Sequence, residues 1–210
     1  MRALFWFRKD LRLDDNTGLA EAARDARGNV VPFYASEPEI LSRPDMAATR
    51  MRFVLDSLAD LAAAVEGSGS HLALSHGGAT ETVVQAAREA RADAVYWNDE
   101  YEPQLMRRDD AVASALRRAG IAVRRFHDRL LVPPGAVATK EGKPFVVYTP
   151  FRRACEALRL SEPLPRVNRF TAHDLPRRPL ASLERLGFTT DQTPWPGGGA
   201  AGRKRLKEFL

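Results

Sequence analysis

The sequence predicts an α/β protein: a doubly wound, Rossmann-like parallel sheet of five strands in the order 3-2-1-4-5, followed by an irregular linker. Three observations carry this. Short apolar runs alternate with amphipathic helical patterns as far as residue 126, as strands joined by helical crossovers require. The first run, Ala3 to Phe7, is apolar without interruption and stops at Arg8-Lys9-Asp10, as a central strand buried on both faces does. The regular alternation ends near residue 127, beyond which prolines accumulate.

The strands are expected at 3–7, 30–35, 71–75, 94–98 and 121–126. A helix over 17–27 has Asp15 or Asn16 as its cap and Gly28 as its stop. The clearest helix covers 47–66, with Met51, Leu55, Leu58, Ala62 and Val65 recurring every three or four residues and Gly67 ending it. Residues 79–91 place Val83, Val84, Ala87 and Ala90 on one face. Residues 103–119 begin at Pro103, a favourable first helical position, and carry Leu105, Val112, Leu116 and Ala119. Past the sheet, Thr149-Pro150 starts a helix to about Leu160, and 200–210 (AAGRKRLKEFL) reads as the beginning of another.

In the 3-2-1-4-5 order, strands one and four are neighbours and the winding reverses between them, so a ligand crevice opens at their carboxyl ends. Two charged loops border it: Arg8–Asn16 and Asn98–Pro103. In the first, Asp10 and Arg12 are placed to bridge to each other or to backbone, and Arg8 is the residue best placed to touch a ligand. In the second, Asn98, Asp99, Glu100 and Glu102 fall within five residues. Massed carboxylates disfavour phosphate and favour a ligand with N–H or O–H donors, such as a flavin-like or pterin-like ring; capping of the following helix is the alternative. Trp6 and Trp97, on the two neighbouring strands, either flank the crevice or serve as core aromatics.

Composition narrows the function classes. The 210 residues, 44% hydrophobic, suffice for one sizeable domain and a remainder. A single cysteine, Cys155, excludes an internal disulfide and suits a reducing compartment; it is expected to be packed and inert on the apolar side of its helix. The N-terminal apolar stretch is too short for a signal peptide, and no run approaches the ~18 residues of a membrane span, so a cytoplasmic protein without a membrane partner is expected. Residues 1–127 carry 17 Lys and Arg against 19 Asp and Glu, and residues 128–210 carry 15 against 8, so the basic excess lies in the C-terminal part. That asymmetry fits a solvated arginine-rich linker or a weak, salt-sensitive contact with DNA through 128–210. No dinucleotide or P-loop glycine fingerprint, no G-x-S-x-G elbow and no metal-ligand pattern among His71, His76, His127 and His173 is present.

The motifs themselves resemble the DNA photolyases and cryptochromes. The family's opening W-x-R-x-D-L-R-x-x-D-N stands here as Trp6, Arg8, Asp10, Leu11, Arg12, Asp15 and Asn16. Ser36 to Leu41 is similar to its D-P-x-x-L segment, and Asp45 to Arg50 with Phe53 and Leu55 to the entry of its long helix. Ala94 to Asn98 with Tyr101-Glu102-Pro103 and Arg108-Asp109 is similar to its fourth strand and loop, and Pro144-Phe145 with Tyr148-Thr149-Pro150-Phe151 to its G-x-P-Y-x-V-[FY]-T-P-F. These matches cover about residues 1–155. Leu186-Gly187-Phe188, Trp195-Pro196-Gly197-Gly198 and Leu206 to Phe209 resemble the approach to the family's helical domain, where Gly199 replaces the usual Glu.

The resemblance implies three parts: an α/β antenna-chromophore domain at 1–130, an interdomain linker with one short helix at 131–199, and at 200–210 the start of a helical FAD-binding domain that the sequence does not continue. It implies the antenna domain of a deoxyribodipyrimidine photo-lyase, a carbon–carbon lyase that repairs pyrimidine dimers in DNA with light. The catalytic residues and FAD would lie in the helical domain, which would be the chain's partner and its route to DNA. A stand-alone α/β binding module or a cryptochrome photoreceptor domain is the alternative. Carried over by position, the chromophore pocket would use Arg8, Tyr34, Met46, Arg50, Asn98, Glu100 and Glu102. The chromophore would be a deazaflavin, a flavin or methenyl-tetrahydrofolate; Met46–Arg50 and the paired acids Glu100 and Glu102 look most like the deazaflavin-type members.

Overall fold

A computed structural model describes residues 1–192 and 195–210. Its sheet is parallel throughout, in the order β3-β2-β1-β4-β5. The strands are β1 (Ala3–Phe7), β2 (Val30–Ser36), β3 (Ala73–His76), β4 (Ala94–Asn98) and β5 (Ala122–Phe126). The helices are α1 (Thr17–Asp25), α2 (Pro38–Leu41), α3 (Ala48–Glu66), α4 (Ala79–Glu89), α5 (Pro103–Arg118), α6 (Tyr148–Glu156) and α7 (Gly199–Phe209), with a 3-10 turn at Glu184–Leu186.

β1 is apolar at every position because both faces of the sheet are covered. Leu4 and Trp6 pack with Val83, Val112 and Leu116 of α4 and α5, whereas Ala3, Phe5 and Phe7 pack with Leu19, Leu58 and Leu61 of α1 and α3. All five β1 residues are solvent-inaccessible. Burial of each large side chain contributes about 1.5–3 kcal/mol, so this strand anchors both cores. β5 lies at the sheet edge, half-exposed, with Arg124 and Arg125 blunting it.

Asn16 caps α1, its side chain accepting the Leu19 N–H at 3.1 Å. α1 ends at Asp25, sooner than the expected 27, because Arg27 and Gly28 both turn into the left-handed region (φ 51° and 80°). β3 is displaced from the expected 71–75. Pairing starts at Ala73, opposite Phe33. His71 turns away, its Nε2 meeting the Leu175 carbonyl at 3.0 Å and its ring lying 4.0 Å from that of His173. α2 and the 3-10 turn are too short to show a period and were not expected from the pattern.

The proline-rich segment does not swing free of the sheet. Residues 164–188 run back over the α/β layers as a strap. The Val167 N–H donates to the Leu13 carbonyl and the Thr171 N–H to the Val30 carbonyl, each at 3.0 Å. Phe170 and Leu175 are buried in the clusters on the two sheet faces, and Leu183 is buried as well. Beyond it, Gly197 and Gly198 lie so close to α3 that a Cβ on Gly197 would collide with the Phe53 carbonyl oxygen. The Gly198 N–H donates to Ser57 Oγ at 3.0 Å and the Ala200 N–H to Asp60 Oδ2 at 3.3 Å, so α3 side chains satisfy the start of α7. α6 is shorter than the expected 149–160 and buries no residue, with Tyr148 and Phe151 exposed. Cys155 is therefore half-exposed rather than packed away.

Candidate functional site

β1 and β4 pair side by side (Ala3 with Ala94, Leu4 with Val95, Phe5 with Tyr96), so the crevice opens where the topology places it. Its base is a knot of buried polar groups. Asp10 accepts the Arg8 N–H at 2.9 Å and the Asn98 side-chain amide at 2.5 Å. The same amide donates to Asn16 at 2.8 Å, and Asn98 Oδ1 accepts the Gly18 N–H at 2.8 Å. Asn98 thus holds the loop after β1 against α1. It does not line the cleft, contrary to its expected chromophore contact. Arg12 does not bridge Asp10; it reaches Asp128 and the Asp15 carbonyl, each at 2.7 Å.

Above the knot lies a cleft of about 560 Å³, within the roughly 300–1,000 Å³ of small-molecule sites. Six of the seven expected residues line it: Arg8, Tyr34, Met46, Arg50, Glu100 and Glu102. Met51, Leu105 and Ile40 add apolar wall. Met46 and Arg50 stand at the outer rim, the latter exposed and 3.4 Å from Asp45.

The inner wall is ionic. Nη1 of Arg8 lies 2.6 Å from both oxygens of Asp109, which is fully buried and also accepts from Arg108 at 2.8 and 3.0 Å. Arg108 reaches on to Glu37 at 2.8 Å. The guanidinium carbons of Arg8 and Arg108 lie 4.8 and 5.0 Å from the centre of a Trp6 ring. Trp6 meets Trp97 edge-on at 5.7 Å, so both indoles belong to the core, and the Arg8 head separates Trp6 from the cleft. Nε and Nη2 of Arg8 are buried without a partner among the described residues, two donors in a residue that lines the cleft.

The acids divide by environment. Burial pushes the Glu100 carboxyl up, against the pull of Arg8, Lys9 and Arg129. Glu102 is only partly buried, which works the other way, and its hydrogen bond from Lys9 at 2.5 Å holds it down at about 2. Burial raises Glu37 to about 7 even though Arg108 opposes it. Burial, with Glu37 nearby, raises the Tyr34 phenol to about 12. The cleft therefore offers a proton-binding carboxyl, a permanent carboxylate and unsatisfied guanidinium donors between apolar faces.

Sequence reasoning missed Glu37, Arg108, Asp109 and Lys9 as site residues. Glu37 had a readable signal: it follows β2 directly, and β2 ends at the same sheet edge as β1 and β4. Arg108 and Asp109 sit mid-helix in α5, where a charged pair ordinarily reads as a solvated face.

Fold and site together define a doubly wound parallel α/β domain with a ligand cleft at the switch point of its sheet. The DNA photolyase family profile matches residues 3–168. The chain belongs to the DNA photolyase family. An uncharacterized 31.6 kDa protein from Synechococcus sp. (strain PCC 6716) is 38% identical, over 98% of this chain and 74% of its own length. A bacterial class III photolyase from Agrobacterium tumefaciens superposes with a TM-score of 0.84 at 31% identity, over 99% of this chain and 44% of that one. An archaeal photolyase from Sulfolobus tokodaii, described with two FAD molecules and as implying a novel light-harvesting cofactor, gives 0.83 at 25% identity, over 98% of this chain and 46% of that one. The chain thus spans less than half the length of the two solved photolyases.

Proposed function

We propose that this chain is the light-harvesting antenna domain of a deoxyribodipyrimidine photo-lyase, and that its chromophore binds in the cleft at the switch point. The observation that carries the reading is the cleft's chemistry. Apolar faces from Met46, Met51 and Leu105 enclose edges set by Glu100 and by the unpartnered donors of Arg8. A fused heteroaromatic ring has that pattern, flat apolar faces with N–H and carbonyl groups at its rim. Glu100 accepts or shares a ring proton, Arg8 donates to a carbonyl or enolate, and Arg50 at the mouth meets a polar tail. When bound, the chromophore supplies absorption in the near ultraviolet or blue. A deazaflavin is slightly preferred among deazaflavin, flavin and methenyl-tetrahydrofolate, on the resemblance of Met46–Arg50, Glu100 and Glu102 to deazaflavin-type members.

The excitation would pass to FAD in a helical domain of the same protein, which would also bind DNA. The exposed apolar residues of α6, Tyr148 and Phe151, support such a packing partner. Among the described residues, no helix is long and apolar enough to cross a membrane.

Reconstitution tests the reading. The folded chain is mixed with a deazaflavin, flavin mononucleotide or methenyl-tetrahydrofolate, and unbound chromophore is removed. One equivalent of bound near-ultraviolet or blue absorbance is expected from at least one of the three, weakened at least tenfold in Glu100→Gln. Folded chain that retains none of the three overturns the proposal.

A further inference from the structure

A second cleft of about 400 Å³ adjoins the first and shares Tyr34, Leu41, Met51 and Val54 with it. Its walls come from α3, from the carboxyl ends of β2 and β3, and from the strap at 178–186. Its floor and sides are apolar: Leu55, Leu58 and Leu74 face Leu180 and Leu186. Ser36, Ser75 and His76 supply a few polar atoms at one edge. Arg178 and Arg185 stand at the exposed edge, neither with a carboxylate partner among the described residues. Nearby Arg177 differs, because it pairs with Glu66. Tyr34 stands on the shared wall and lines both compartments.

We infer that this second cleft is a binding compartment for a flat aromatic group carrying an anionic substituent, the ring between the leucines and the anion at Arg178 and Arg185. Apolar walls with one polar edge suit a planar heterocycle, and two unneutralised arginines at one rim suit a phosphate or carboxylate. Such a group has two sources: the pendant half of a chromophore whose first ring occupies the first cleft, or a free molecule. The pendant source rests on the antenna reading above; the compartment itself does not. Sharing four wall residues makes the pendant arrangement a chelate, in which the second group binds at the effective concentration set by its tether.

The experiment uses three probes on the full chain: flavin mononucleotide with one ring, adenosine monophosphate with the other, and flavin adenine dinucleotide with both. Binding is followed by calorimetry in the wild type and in Arg178→Glu/Arg185→Glu, whose two positions are exposed and whose fold is checked by circular dichroism. Saturable binding of adenosine monophosphate, weakened at least about tenfold in the double variant, is expected. Flavin mononucleotide binding is expected to change less than about threefold in that variant. The dinucleotide binding at least tenfold tighter than the mononucleotide, with the gain lost in the variant, identifies the pendant source. Arginine-dependent binding of adenosine monophosphate without that gain identifies a free ligand. If flavin mononucleotide fails to bind and adenosine monophosphate still binds arginine-dependently, the antenna reading fails and the compartment stands. Absence of binding by adenosine monophosphate and by the dinucleotide, or binding indifferent to both charge reversals, overturns the inference.

Discussion

Asp109→Asn tests the ionic wall of the cleft most directly. Asp109 is fully buried and, among the described residues, is the one carboxylate paired with both Arg8 and Arg108. The substitution keeps the shape and removes the charge, leaving Arg8 without its ion-pair partner in a site where 5% of its side chain is exposed. Breaking a buried pair from one side costs about 3–5 kcal/mol. Arg108 retains Glu37 at 2.8 Å and both guanidiniums keep their stacking on Trp6, which places the expectation at the lower end, about 3 kcal/mol. For a chain of this size that lowers Tm by roughly 6–12 °C. Urea unfolding followed by circular dichroism reads it as a lower midpoint at unchanged slope. Replacing both partners, Arg8→Met with Asp109→Leu, is expected to recover at least half of the loss, since a packed apolar pair replaces an ion pair at little net cost. A single-variant loss under 1 kcal/mol would refute the reasoning, as would a double variant worse than the single.

Other outcomes follow from particular contacts. Glu37 binds its proton more tightly when folded (about 7) than at its ordinary value of 4.5, so its contribution to stability is complete below pH ~4.5 and is lost as pH rises through 7. Glu37→Gln should therefore gain stability relative to wild type by a few kcal/mol between pH 5 and 8 in paired melts, and a flat difference contradicts the assignment. His173, lowered chiefly by burial, biases the wild-type curve in the opposite direction, which is why the paired difference is the useful quantity. Gly18→Ala lies inside α1, where alanine ordinarily stabilises by about 1 kcal/mol. Here the new methyl would sit 2.7 Å from Asn98 Oδ1 and 3.1 Å from the Phe5 ring, so a loss of about 1–3 kcal/mol in a denaturant titration is expected. Gly197→Ala should detach α7 from α3 and speed the loss of α7 in limited proteolysis, while the sheet's own unfolding free energy changes by less than about 1 kcal/mol.

The sheet was legible because its signals are local and physically forced. A strand covered on both faces must be apolar throughout, as β1 and β4 are, and the spacing between runs admits only helical crossovers. Sheet order was read as the commonest doubly wound arrangement, and the crevice followed from where that order reverses its winding. The strap was not legible, because main-chain groups attach it to Leu13 and Val30 and only isolated side chains such as Phe170 and Leu175 are buried. Neither leaves a period. Within the site, Arg8, Glu100 and Glu102 were readable as charges beside a strand end. Asn98 occupies an equivalent position and points its chemistry inward, a distinction set by where Asp10, Asn16 and Gly18 lie in space. Arg108 and Asp109 became visible only when α5 was folded against β2's outgoing loop, which brings Arg108 to Glu37, 71 positions away, in one chain of charges.

The strap also bears on the order of assembly. Its bond from Val167 closes on Leu13, and Arg2 reaches the Ala172 carbonyl across 170 residues, so these closures carry some of the longest loops in the molecule. Strand pairings within residues 3–126 close shorter loops and need nothing from the strap. On a ribosome, the sheet and the first cleft's ionic wall can therefore form before residue 164 emerges. The second cleft has one wall made of residues 178–186, so it comes into being only once the strap has closed. A molecule held there would act as a clasp, slowing the release of the strap in proportion to how tightly it binds.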